Sequence, residues 1–181
     1  MLSTILILIG IVVVIFVTLV AMQPADFRIT RSATISAPPE KAFAQVNDFH
    51  HWNDWSPWAK MDPNCKNTFA GEASGPGASF SWDGNNKVGA GCMTITDSRP
   101  PEQIAIKLEF FKPFKAVHTA EFTFKPAAAQ TVVTWTMSGK NNFMGKMFGL
   151  VMNCDKMIGK DFEKGLAAMK VIVEATAKTQ T

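Results

Sequence analysis

"FMGKMFGLVMNCDKMIGKDFEKGLAAMKVIVEA", residues 143–175, is the stretch on which the fold turns. Phe143, Met147, Val151, Cys154, Ile158, Phe162, Leu166 and Met169 recur in it at steps of three and four. That spacing stacks side chains along one face of a helix. Lys146, Lys156, Lys160, Glu163 and Lys164 fill much of the opposite side, and no proline interrupts the run. The pattern predicts one long C-terminal helix, broken or bent near Gly159, whose apolar face needs a cover.

The cover is written upstream in a different period. "QIAIKLEFF" (103–111) alternates Ile104, Ile106, Leu108 and Phe110 against Gln103, Ala105, Lys107 and Glu109. "AVHTAEFTFKP" (116–126) sets His118, Ala120, Phe122 and Phe124 on one side, and "TVVTWTMSG" (131–139) does the same with Val133, Trp135 and Met137. "FRITRSATI" (27–35) places Phe27, Ile29, Arg31, Ala33 and Ile35 together. "GASFSWDGNN" (77–86) pairs Phe80 with Trp82 before an Asp83-Gly84 turn, and "KVGAGCMTITDSRPP" (87–101) contributes Met93 and Ile95. A repeat of two is the signature of strands with one buried face. Between the first strand and the rest, "SAPPEKAFAQVNDF" (36–49) reads as a short helix with Ser36 as its N-cap. The order predicts an α+β fold in which a meander of about five or six antiparallel strands packs on the terminal helix. A strongly curved sheet around a helix leaves an apolar cavity between them.

The N-terminus belongs to a different solvent. Leu2 to Met22 carries no charge, and the first ionisable side chain is Asp26. At 1.5 Å per residue such a helix is roughly 31 Å long, the thickness of a bilayer's hydrocarbon core. A cleaved signal peptide would call for a basic start and small residues before the cut, which "VAMQPA" does not supply. The expectation is a single-pass anchor over residues 1–23 and one soluble domain over 24–181. Arg28, Arg31 and Lys41 follow the span, which places that domain in the cytoplasm by the positive-inside bias. A net charge of +3 with dispersed lysines argues against a nucleic-acid surface. Cys65, Cys92 and Cys154 are widely spaced, as free thiols are, and lack zinc or redox spacing.

The succession "ATISAPPEKAF", "WNDWSPW", "GPGASFSWDGN", "VGAG", "TVVTWTMSG" and "IGKDFEKGLAAMK" resembles the SRPBCC or START-like superfamily, and within it the bacterial polyketide cyclase/dehydrase-type proteins. The resemblance covers nearly all of the chain after Gln23. It implies the helix-grip fold, with a deep hydrophobic cavity between the curved sheet and the C-terminal helix, used for lipids, sterols, aromatic polyketides and hormones. The membrane segment is a departure from typical soluble members.

Catalytic patterns were sought in the same residues. His50 and His51 are adjacent and cannot both face one ligand from regular structure, so a metal site would need ligands from elsewhere. Ser56, His51 and Asp54 form a triad only on paper, without a nucleophile elbow. Glu109, His118, Glu121 and Asp161 are the candidates for acid/base work inside a cavity. None is assigned a catalytic role, and neither a metal nor a cofactor is expected. The stronger signal is the set of bulky, adaptable apolar side chains: Trp55, Trp58, Phe80, Trp82, Met93, Phe110, Phe122, Trp135, Met137, Met147 and Val151 are expected to line a ligand cavity. Trp52, Trp55 and Trp58, three apart, are expected to form a lid or wall between the first helix and the sheet. The leading expectation is membrane-anchored binding of a hydrophobic small molecule or lipid without covalent catalysis. A cyclase or dehydratase using the same cavity, or a stress or assembly factor binding another protein, are the alternatives.

Overall fold

The computed structural model describes residues 2–178, apart from the side chain of Val151. Helix α1 (Leu2–Ala21) leads through a short hinge to strand β1 (Asp26–Ile35). Helix α2 (Pro39–Asn47), a 3-10 turn (Phe49–His51) and the short helix α3 (Trp52–Trp55) follow. Strands β2 (Lys66–Ala70), β3 (Ser79–Asp83), β4 (Ala90–Arg99), β5 (Gln103–Lys112), β6 (Ala116–Ala127) and β7 (Gln130–Lys140) come next, and helices α4 (Phe143–Val151) and α5 (Cys154–Lys178) close the chain.

All seven strands form one antiparallel sheet in the order β1-β7-β6-β5-β4-β3-β2, so the first strand pairs with the last. The expected α+β helix-grip architecture is what the chain adopts, with β2 as a seventh strand beyond the predicted meander. β2 escaped the period-two reading because all five of its residues are exposed and no alternation marks it. Register shifts in the β4–β5 ladder, at Ala90/Gly91 and Ile95/Asp97, bend the sheet. Facing residues Arg31, Trp135, Phe122 and Ile104 run across four strands in register.

Two N-terminal and C-terminal details depart from the sequence reading. Helix α2 begins at Pro39 rather than near Ser36, because Pro39 holds the preceding Pro38 extended and is itself suited to the first helical position. Ser36 is occupied elsewhere: its N–H donates to Glu174 Oε1 at 2.7 Å, tying the chain to α5. The C-terminal helix is broken at Met152–Asn153, not near Gly159. Asn142 Oδ1 accepts from Gly145 N and Asn153 Oδ1 accepts from Lys156 N, both at 2.9 Å, so each asparagine starts a new helix. Gly159 lies inside an unbroken α5 for another reason. A side chain there would collide with the Arg31 guanidinium, which crosses the helix at this point to reach Asp155 (3.0 Å) and Glu163 (2.9 Å). This clasp also explains a charged residue on β1's inward face, and its hydrogen bond to Arg31 holds the Asp155 carboxyl below the usual range.

The interior centres on Trp135, whose ring lies flat against Phe162 of α5 with centroids 3.9 Å apart. Trp52 and Trp55 meet Phe122 and Trp135 edge-on, and Trp55 Nε1 donates to Gln45 O at 3.1 Å. Trp52, Trp55, Phe122, Trp135, Phe162, Leu166 and Met169 are all buried. Trp52 and Trp55 are thus a wall of the core rather than a lid, while Trp58, half-buried, flanks Trp135 and Phe162.

Candidate functional site

The two ends of the grip are built differently. Around Trp135 and Phe162 the sheet is covered by α5, α2 and α3 and is densely packed. Toward the other end of the same sheet face, Phe27, Trp82, Leu108, Phe110 and His118 are only partly buried. Their mutual placement follows from the ladders, in which Trp82 faces Gly91, Gly91 faces Phe110, Leu108 faces His118 and His118 faces Gly139. The two glycines shape this floor. A side chain at Gly91 would run into the Trp82 ring, and one at Gly139 into the His118 ring, so both rings lie down against the sheet instead of standing away from it.

An open cleft of about 460 Å³ adjoins this end. Its walls are the hinge (Gln23, Pro24, Asp26), Phe27, and the α4–α5 joint with Leu150, Met152, Asn153 and Cys154. Phe27 stands between the cleft and the floor, edge-on to His118 at 4.8 Å. α4 is fixed at this end by both neighbours: Asn142 Nδ2 donates to Lys115 O at 3.3 Å, and Lys146 Nζ donates to Ala21 O, at the end of α1, at 3.1 Å. A second, smaller surface depression lies along α5 between Asn153 and Lys164.

Among the described residues, His118 is the titratable side chain that lies on the apolar floor. Its Nδ1 is buried without a hydrogen bond of ordinary geometry. Burial pushes the imidazole below its ordinary pKa, partly offset by the Val117 backbone. A neutral imidazole among rings can donate or accept one proton, which suits anchoring a polar atom of an otherwise apolar ligand. The other acid/base candidates are engaged elsewhere: Glu109 with Lys107 (2.9 Å), Glu121 with Gln103 (2.9 Å) and Asp161 with Lys164 (2.8 Å). His50 bonds Asp48 at 2.7 Å and stacks on Phe69, and His51 pairs loosely with Asp54 at 3.9 Å.

The depressed His118 pKa has a measurable consequence. Above about pH 6.5 the imidazole is neutral both folded and unfolded; below it the unfolded chain binds the proton first, so stability falls as pH falls. His118→Gln should flatten the pH dependence of the urea midpoint below pH ~6.5 and leave it unchanged at pH ~8. An equal slope in both proteins would refute the assignment.

Of the eleven residues expected to line a cavity, Trp55, Phe80, Met93, Phe122, Trp135 and Met137 are buried in the sheet–helix interior. Trp58, Trp82, Phe110 and Met147 are half-buried, Met147 on α4, and the Val151 side chain lies outside the described residues. Phe27 was not among the expected contacts, and of the α4–α5 joint only its α4 side, at Met147 and Val151, was. The asparagines at 142 and 153, both good N-caps, were the available signal for that joint.

A family profile described as polyketide cyclase/dehydrase and lipid transport matches residues 26–174. The chain belongs to this family. The polyketide cyclase/dehydrase match begins with β1 and runs through the grip and its open end into α5. Among solved structures, protein CV1439 from Chromobacterium violaceum is similar at 14% identity, with 83% of this chain and 99% of that one covered and a TM-score of 0.58. The Aha1 dimer from Colwellia psychrerythraea is similar at 16% identity, covering 82% and 96%, with a TM-score of 0.58. The di-domain ARO/CYC protein StfQ of the steffimycin biosynthetic pathway is similar at 11% identity and a TM-score of 0.61, covering 85% of this chain and 53% of that one. At such identities the likeness is one of fold. No curated protein sequence matches the chain. As a polyketide cyclase/dehydrase family member with a helix-grip fold, it belongs among proteins built to hold small hydrophobic molecules, and one N-terminal helix is long and apolar enough to cross a membrane.

Proposed function

We propose that the protein is a membrane-anchored carrier or receptor for a hydrophobic small molecule or lipid, taken up through the cleft between hinge and α4–α5 joint and held on the floor formed by Trp82, Phe110 and His118. The observation that carries this reading is the asymmetry of the grip: one half is packed solid by Trp135 and Phe162, while the other keeps partly exposed rings beside a cleft of about 460 Å³. A volume of that order suits a drug-sized molecule. Met137 and Met147 are the further contacts from the expected set, while Trp55, Trp58, Phe80, Met93, Phe122 and Trp135 belong to the packed interior behind them. Helix α1 serves as the span, keeping the cleft beside a lipid reservoir, with the domain on the cytoplasmic side. The lone neutral imidazole on an apolar floor also favours a second reading, in which His118 moves a proton during a cyclisation or dehydration.

Native mass spectrometry of the full-length protein taken from membranes is the direct test, joined to titration with an apolar fluorescent probe. A co-purifying hydrophobic ligand is expected, and Trp82→Ala should weaken probe binding roughly tenfold by removing a ring's worth of contact. No ligand in repeated preparations, with no probe binding, would sink the proposal.

A further inference from the structure

Beyond α1, many of the exposed large apolar side chains gather at the open end, while Met61, Phe69 and Val171 lie apart from it. Phe111, Phe114 and Val117, at the β5–β6 hairpin tip, are 51%, 41% and 57% exposed, and Phe143, Phe148 and Leu150 on α4 are 48%, 38% and 37% exposed. The two groups meet at Phe114 and Phe148, whose ring centroids are 5.5 Å apart, and Asn142 joins α4 to the Lys115 backbone. The surface continues into α1, because Lys146 Nζ holds the Ala21 carbonyl at 3.1 Å. Its lysines outnumber the acids beside it, although Lys112 is paired with Asp83 of β3 at 3.0 Å and Asp26 lies opposite Lys140 in the ladder. Residues 110–118 and 139–154 contain Lys112, Lys115, Lys140 and Lys146 and no aspartate or glutamate.

We propose that α4 and the β5–β6 hairpin tip dock onto the surface of an anionic bilayer and hold the open end of the grip against the lipid. Aromatic and aliphatic side chains ringed by lysines suit the headgroup boundary, where apolar groups enter the acyl edge and ammonium groups meet lipid phosphate. A second copy of the chain fits poorly, since a self-complementary contact would bring Lys115, Lys140 and Lys146 against the same three lysines of the copy. The docking rests on α1 being the span, since the span is what sets this face beside the bilayer. It adds that the domain lies on the membrane instead of swinging free on the hinge, so a lipid could pass from leaflet to cleft without crossing water.

The test uses the full-length chain in detergent and in phosphatidylcholine nanodiscs with and without phosphatidylglycerol, reading amide hydrogen exchange. Docking should slow exchange in residues 111–117 and 143–150 about tenfold in the anionic discs relative to detergent. Lys115→Gln/Lys140→Gln removes two exposed charges and should weaken docking about fivefold per lysine, bringing exchange toward the value in neutral discs. Equal exchange in detergent and anionic discs, with the chain incorporated, would overturn the docking and leave the span intact. A chain that stays out of the discs would overturn the span, and docking with it. Protection that appears in detergent and grows with protein concentration would assign the surface to a second copy and overturn the proposal.

Discussion

Trp135→Ala should cost the domain about 3–5 kcal/mol, the range for removing a large buried aromatic side chain. The expectation sits at the upper part of that range because the ring is the hub of the packed half of the grip. It stacks on Phe162, is met edge-on by Trp52, Trp55 and Trp58, and is 2% exposed. Trp135 Nε1 is also buried without a hydrogen-bond partner. Trp135→Phe removes that unsatisfied donor while keeping much of the ring, so its cost should stay below about 1.5 kcal/mol. Urea unfolding of the two variants checks the pair. Similar large losses in both would mean that the indole N–H is bonded in solution and that stacking is not the main term.

The other large effect lies in α1. Leu8→Asp/Val12→Asp should release the protein from the membrane fraction, because each aspartate near the centre of a span costs about 2.5–3.5 kcal/mol of insertion. The native helix has a mean hydropathy of 3.2 and only 6% of that stretch is buried by the rest of the chain, which is what the proposed span requires. Alkaline extraction of membranes followed by intact mass measurement separates the possibilities. The native chain should remain with the lipid at its full mass. A native product lacking its first twenty or so residues would show that α1 is a cleaved signal sequence, and the span would be withdrawn.

The architecture was legible wherever one period dominated. Ile104, Ile106, Leu108 and Phe110 gave β5, and Phe162, Leu166 and Met169 gave α5, since burial on one side leaves its period in the sequence. β2 was illegible because all five of its residues are exposed and no alternation marks a buried face. The α4–α5 break was hidden by its own regularity: Met147, Val151, Cys154 and Ile158 keep helical spacing straight through it, and only the capping residue Asn153 betrays the stop. The floor was half legible. Trp82, Phe110 and His118 stood on predicted inward faces, but which inward residues are packed and which stay accessible depends on where α5 ends its cover. That is a property of three-dimensional packing that no local pattern encodes. Arg31 illustrates the same limit, reading as an interruption of an apolar face until Asp155, Gly159 and Glu163 are seen to receive it.

The pairing of β1 with β7 sets the order of events during synthesis. Phe27 lies opposite Gly139, so the first strand leaves the ribosome more than a hundred residues ahead of its only neighbour in the sheet. Pairings so distant in sequence form slowly, and an unpaired strand left waiting is an invitation to the wrong partner. β1 is suited to that wait: Arg28, Thr30, Arg31, Ser32 and Thr34 interrupt its apolar residues and discourage premature association. The last strand to be made is therefore the one that completes the sheet, and a chain cut short before Gln130 would leave β1 unmatched.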